Sequence, residues 1–237
     1  MTQKYDSIFK IRIVIHSSFF GEGMLNDHIS RKQREFLHRR QEIMQTALSL
    51  FCETGFSNVS MQEIAAKSEY AVGTLYKFFP TKEALYSEVL KEKVLELHSI
   101  LIAALSIPGS EIKKMRSFLE KKILWFKKNM DYVRLYITET FGVGFVDKRE
   151  LDPIKEKVHL EQLRKIADIF QSGIEKKVFK DIDPDILSVS LNGLSNGLLF
   201  ELIENKNFGQ FDSKTVLKIF LQSICLNESD EIGQDES

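Results

Sequence analysis

From Arg31 onward the apolar residues fall at helical spacing. Phe36, Leu37, Ile43, Met44, Ala47, Leu48 and Phe51 recur on one face of a helix about 24 residues long. Gly55 marks its end, with Phe56 placed to fold back on the last turn. Ser60 and Glu63 make the S-x-x-E capping pattern, which opens a second helix with Met61, Ile64 and Ala65 inward. The break Ser68-Glu69-Tyr70 leads to a short helix from about Ala71 to Phe78. Pro80 stops it, and Thr81 caps the next helix, which runs to about Leu105.

Past Pro108-Gly109 the helical pattern resumes. Glu111–Lys128 carries Met115, Phe118, Leu119, Ile123 and Phe126 on one face, and Tyr132–Phe141 follows. "GVGFVDKRELDP" reads as a loop. Asp152-Pro153 is a cap followed by proline at the first helical position, which predicts a long helix from there to about Val178. Asp183-Pro184 repeats the device for a helix to about Glu204, and Asp212 caps a last one to about Leu226. No strand–helix alternation, glycine-rich phosphate loop or internal repeat interrupts this, so the expected fold class is all-α. Residues 1–30 stand apart. Ile11, Ile13 and Ile15 alternate with Arg12 and Val14 as a weak strand with no partner strand. This extension is expected to lie outside the main fold. Residues 1–23 are expected to be either disordered or absent from a native protein starting at Met24; the competing reading is an extension that pairs with another protein.

The 237 residues are 43% apolar, enough for one or two domains with real cores. The net charge of −1 is unevenly spread: Arg31 to Lys82 holds eight Lys/Arg against five Glu, and residues 227–237 hold five acids and no base. The acidic end is expected to be a solvating, disordered tail. The two cysteines, Cys52 and Cys225, sit in apolar helical patterns and read as buried free thiols. No CxxC, HExxH or clustered histidine is present, so neither a metal nor a cofactor is expected. No apolar run in the sequence approaches the ~20 residues of a membrane span. The lack of a disulfide framework fits a reducing cytoplasm.

Two short helices joined by a tight break, the second rich in polar side chains, form a helix-turn-helix pattern. The stretch "GFSNVSMQEIAAKSEYAVGTLYKFFPTKEAL" resembles the N-terminal domain of the TetR family of transcriptional repressors. Ser60, Ile64, Ala65, Gly73, Thr74, Leu75, Tyr76, Phe78, Phe79, Lys82, Glu83 and Leu85 carry the likeness, over roughly residues 35–90. The resemblance implies a DNA-binding domain at 31–80, with Thr74, Tyr76 and Lys82 on phosphates and Leu75, Phe78, Phe79 and Leu85 holding the helices together. Gln62, Tyr70, Ala71, Val72, Gly73 and Lys77 complete the expected DNA-binding set. Three departures stand out. Glu69 occupies a turn position usually held by glycine, Ala71 replaces the usual Ser or Thr cap, and Val72 replaces a polar base reader. The basic run Arg31, Lys32, Arg34, Arg39 and Arg40 reads either as a solvated face or as a footprint on the DNA backbone.

The resemblance further implies a ligand-binding and dimerisation domain at 81–226. Its candidate ligand residues are Trp125, Phe126, Tyr132, Tyr136, Phe141, Phe145, His159, Leu163 and Phe170, suited to an apolar or aromatic small molecule. Ser190, Gly193, Leu194, Gly197 and Phe220 are the candidate dimer interface. The expected partners are a palindromic double-stranded operator, a second copy of the chain and a small-molecule effector. The rivals are a regulator without such an effector, controlled by a protein partner, and a helical-bundle enzyme. The latter needs acid–base or metal constellations that the sequence does not display.

Overall fold

The computed structural model describes residues 30–141, 148–205 and 212–226. The N-terminal extension and the acidic tail, with the expectations placed on them, lie outside the described residues. Nine α-helices make up the described chain: α1 (Arg31–Thr54), α2 (Met61–Lys67), α3 (Val72–Phe78), α4 (Lys82–Leu105), α5 (Glu111–Lys128), α6 (Met130–Phe141), α7 (Lys148–Glu175), α8 (Pro184–Glu204) and α9 (Ser213–Ile224). A 3₁₀ turn, Phe56–Asn58, separates α1 from α2. Among the described residues no strand occurs, only an isolated antiparallel bridge between Phe179 and Cys225.

Most helix starts follow from local chemistry. The Ser60 hydroxyl accepts the Glu63 N–H while the Glu63 carboxylate accepts the Ser60 N–H, which satisfies two orphan donors reciprocally. Ser30 and Gln33 do the same for α1. Thr81, Asp183 and Asp212 cap α4, α8 and α9 through their side-chain oxygens, and Pro184 occupies the first position of α8. Asp152-Pro153 does not act this way. α7 already begins at Lys148, and Pro153 lies inside it. A proline in the early turns removes one N–H and leaves the helix downstream intact. The expected loop therefore loses its second half to α7; its residues 142–147 are outside the described residues.

The first core is built from Ile43, Ala47 and Phe51 of α1, Ile64 of α2, Leu75 of α3 and Leu85, Tyr86 and Leu90 of α4, each fully enclosed. Phe56 folds back as expected, with its ring 5.4 Å from Phe51 and 4.8 Å from Tyr86. This core does not stop at the helix-turn-helix. It continues through Trp125, Tyr132, Val133, Leu135 and Ile203 of α5, α6 and α8. A second core lies between α4, α5, α7, α8 and α9, around Met115, Phe118, Leu119, Ile166, Phe170, Leu191 and Val216. α4 serves both, packing on α1 at one end and on α5 and α7 along its length. Contrary to the sequence expectation, Pro184–Ile203 of α8 is long and apolar enough, by length and composition, to cross a membrane (mean hydropathy 1.4). Its leucines raise that average, yet its inner face also carries the buried side chains of Ser188, Asn192 and Ser195.

Candidate nucleic-acid interface

α2 and α3 are joined by a turn in which Glu69 adopts φ 60°. The left-handed conformation expected of a glycine is thus held by a side chain that disfavours it. Ala71 is the N-cap of α3 and provides no side-chain cap bond. α3 is held from below by Leu75 and by Phe79, which follows its last turn; both are fully enclosed, and Phe78 packs its ring 4.6 Å from Phe36. The opposite side of α3 presents Gly73, Tyr76 and Lys77 at i, i+3 and i+4, all exposed, with Tyr76 47% accessible. Gln62 and Ala71 are exposed beside them, while Thr74 and Val72 are half-buried.

Two residues of the expected DNA set have partners inside the domain. The Lys82 ammonium donates to the carbonyl oxygens of Phe56 (2.8 Å) and Val59 (2.7 Å), with Ser57 O at 3.5 Å, and lies 4.4 Å from the Phe56 ring centroid. It ties the 3₁₀ turn to the start of α4. The physical reason is that a half-buried ammonium exchanges water for the nearest carbonyls. The Tyr70 hydroxyl donates to Glu42 Oε2 at 2.5 Å and so ties the turn to α1. That bond holds the Glu42 carboxyl below its ordinary range and the Tyr70 phenol above its own. In the basic run, Arg40 is likewise drawn inward, paired to Glu88 at 2.6 Å and 5.2 Å from the Phe79 ring centroid. Arg31 pairs with Glu35, and Arg31, Lys32, Arg34 and Arg39 are exposed along α1.

The candidate ligand residues do not converge. Trp125, Phe126, Tyr132 and Tyr136 form one aromatic group on α5 and α6, with Trp125 Nε1 donating to Glu96 of α4 at 2.9 Å. Phe170 is enclosed in the second core between Phe179 and Phe220. His159 is exposed on α7, and Leu163 is half-buried. Phe141 and Phe145 lie outside the described side chains. An open groove of about 510 Å³ between α4 and α7 is lined by Ile102, Lys157, Leu160, Glu161, Arg164, Lys165 and Asp168, none of them a candidate. The expected interface residues also divide. Ser190, Gly193 and Gly197 lie on an exposed face of α8 with Ile186, Val189 and Phe200, whereas Leu194 is half-buried and Phe220 packs inside the subunit against Phe170.

One feature escaped the sequence reading. Lys122 of α5 is 3% exposed and donates to Asn192 Oδ1 (2.9 Å) and Ser195 Oγ (2.8 Å) of α8. Burial pushes its pKa from the ordinary 10.5 down to about 7. The signal was present: Lys122 falls at i+7, i+4 and i+3 from Met115, Phe118 and Leu119, in the middle of the apolar stripe.

An enclosed three-helix head with an outward second short helix defines a helix-turn-helix protein of the DNA-binding class. Residues 43–89 match the family described as "Bacterial regulatory proteins, tetR family", so the helix-turn-helix head of this chain is a domain of that family. It is 24% identical over 182 residues to the uncharacterized HTH-type transcriptional regulator YhgD of Bacillus subtilis, covering 76% of this chain and 91% of that one. It is 24% identical over 150 residues to the HTH-type transcriptional repressor KstR2 of Mycolicibacterium smegmatis, covering 63% of this chain and 72% of that one. These relatives are regulators, not enzymes. The fold is shared with a transcriptional regulator from Saccharomonospora viridis solved in complex with choline (TM-score 0.63, 19% identity, 80% of this chain and 99% of that one). It is shared as well with a TetR/AcrR-family regulator from Thermobifida fusca (TM-score 0.61, 20% identity, 78% and 95%).

Proposed function

We propose that the chain is a cytoplasmic repressor. As a homodimer it binds a palindromic operator, and it releases that operator when a small molecule occupies the domain formed by α4–α9. The observation that carries the reading is the outward face of α3, where Tyr76 and Lys77 stand exposed on a helix anchored by Leu75 and Phe79. Such a face suits the major groove, with the Tyr76 hydroxyl and Lys77 ammonium directed at phosphates or base edges. Two copies would have to hold these faces about 34–36 Å apart, one helical turn of DNA.

Homodimerisation is supported by Gly193 and Gly197. A Cβ built on either meets nothing within 4 Å inside the subunit. Glycine in a helix costs about 1 kcal/mol relative to alanine. Since the subunit's own packing does not require it, close approach by a second chain is the better reason. The second reading, a regulator controlled by a protein partner, is favoured by the scatter of the candidate ligand residues over separate parts of the domain.

Selection of bound duplexes from a random DNA pool, followed by titration of the selected duplex, tests the DNA reading. Enrichment of a two-fold symmetric sequence is expected. Tyr76→Phe and Lys77→Ala should each weaken binding, and the lysine change should lower the salt slope by about one. No enrichment, or unchanged affinity in both variants, would sink it. Mass spectrometry of the native protein for a co-purified small molecule decides between the two modes of control.

A further inference from the structure

Lys122 is a cation in the wrong place for a purely structural core. Lysine is almost never fully buried without a charged partner, because an unpaired interior charge forfeits its hydration. Here, among the described residues, both of its hydrogen bonds end on neutral oxygens, and its ammonium lies 5.4 Å from the Phe118 ring centroid. The surrounding side chains do not need it. Asn192 Oδ1 also accepts the Gln162 amide N–H at 3.1 Å, and the Ser195 hydroxyl also donates to the Asn192 carbonyl at 3.0 Å. Removing the ammonium would leave neither stranded. The fold carries a charge that its own bonds do not require.

Two donors nearby also have a common target. Lys122 of α5 and Gln162 of α7 both donate to one oxygen, Asn192 Oδ1, and the Ser195 hydroxyl stands one helical turn further along α8 within 2.8 Å of the ammonium. An anionic oxygen at or beside the position of Asn192 Oδ1 would be held by the Lys122 cation and the Gln162 amide, with the Ser195 hydroxyl turning its hydrogen from the Asn192 carbonyl towards it, in a buried setting where a charge-assisted bond is strongest.

We propose that Lys122, Gln162 and Ser195 form the seat for the head group of an anionic effector, a carboxylate or phosphate on an apolar body. This rests on the small-molecule reading of the α4–α9 domain and names the chemistry of its ligand. The head group competes with Asn192 for Lys122, so seating it parts a bond between α5 and α8. Asn192 faces inward and Gly193, the next residue, lies on the exposed face of the same helix. The seat and the proposed dimer face are therefore two sides of one helical turn.

The test uses the full-length protein with three probes below their micelle concentrations: decanoate, decyl phosphate and decanol. Thermal melting of wild type should rise with one or both anions and not with decanol, and whichever anion acts identifies the head group. Lys122→Met should melt higher than wild type without ligand and bind the active anion at least about tenfold more weakly, as expected on losing a charged hydrogen bond. Asn192→Asp supplies a built-in counter-ion and should likewise raise the melting temperature and abolish the response. An equal response to decanol, a wild-type response in Lys122→Met, or no response to either anion overturns the proposal. Anisotropy titration of the selected operator separates the two readings. Ligand-free protein that binds DNA yet ignores both anions refutes only the anionic seat, whereas failure to bind DNA refutes the regulator reading.

Discussion

The ammonium of Lys82 replaces water with the carbonyl oxygens of Phe56 and Val59, which gives the helix-turn-helix a cross-link 23 to 26 residues long in sequence. Lys82→Met keeps the stem and removes these bonds. It should lower stability by about 1.5–3 kcal/mol, the range for a hydrogen bond to a charged group, read as a lower urea midpoint. If the ammonium keeps these partners on DNA, the salt slope of the variant on operator DNA should stay at the wild-type value; a slope lower by about one would mean that it turns to a phosphate. Lys122 behaves oppositely. Its pKa is near 7 in the folded chain and near 10.5 when unfolded. As pH falls from about 10 to 7 the unfolded chain takes up this proton first, so stability is lost through that window and levels off below it. The difference between Lys122→Met and wild type should be largest at pH 7, on the order of a few kcal/mol, and should close as the urea midpoints are followed towards pH 10. Neither lysine announced its direction in the sequence. Each is turned by partners far along the chain, 23 to 73 residues away.

Helix starts were legible because caps are local. Ser60 with Glu63, Thr81, Asp183-Pro184 and Asp212 act on residues one to three positions away, so the letters alone define them. Asp152-Pro153 misled for the same reason: the motif is local, but whether the helix has already begun depends on what packs upstream. The turn between α2 and α3 was read correctly from one substitution, Glu69 at a glycine position, since only backbone geometry was at stake. It also invites repair. Glu69→Gly relieves the left-handed conformation and Ala71→Ser supplies the missing cap of α3. Each should add about 1 kcal/mol, and the pair should add nearly both amounts. Chemical denaturation of the single and double variants measures this, and no gain from Ala71→Ser would mean that α3 is already held wholly by Leu75 and Phe79. The candidate ligand residues were not legible as a site. Aromatic residues at helical spacing signal burial, and burial does not say in which core.

Across the molecule, the open space beside Gly193 and Gly197 separates folding from assembly. Gly197→Leu should leave helical content unchanged, because a Cβ at this exposed position meets nothing within 4 Å inside the subunit. It should shift sedimentation from dimer to monomer, since overpacking an interface costs about 1–3 kcal/mol on the side of each chain. A dimer of wild-type strength would remove the exposed face of α8 from the interface. The first core, which runs from Ile43 and Phe51 through to Trp125, Tyr132 and Ile203, constrains the whole chain differently. The DNA-reading head has no floor of its own; its floor is α5, α6 and the end of α8. Heat should therefore take both parts apart together, in one calorimetric transition whose van't Hoff and measured enthalpies agree. Inheritance is bound by the same wall. A recombination event that replaces residues 31–80 with those of a relative brings foreign apolar shapes against Trp125 and Tyr132, and is expected to yield a working hybrid only if the end of α5 and α6 cross over with them.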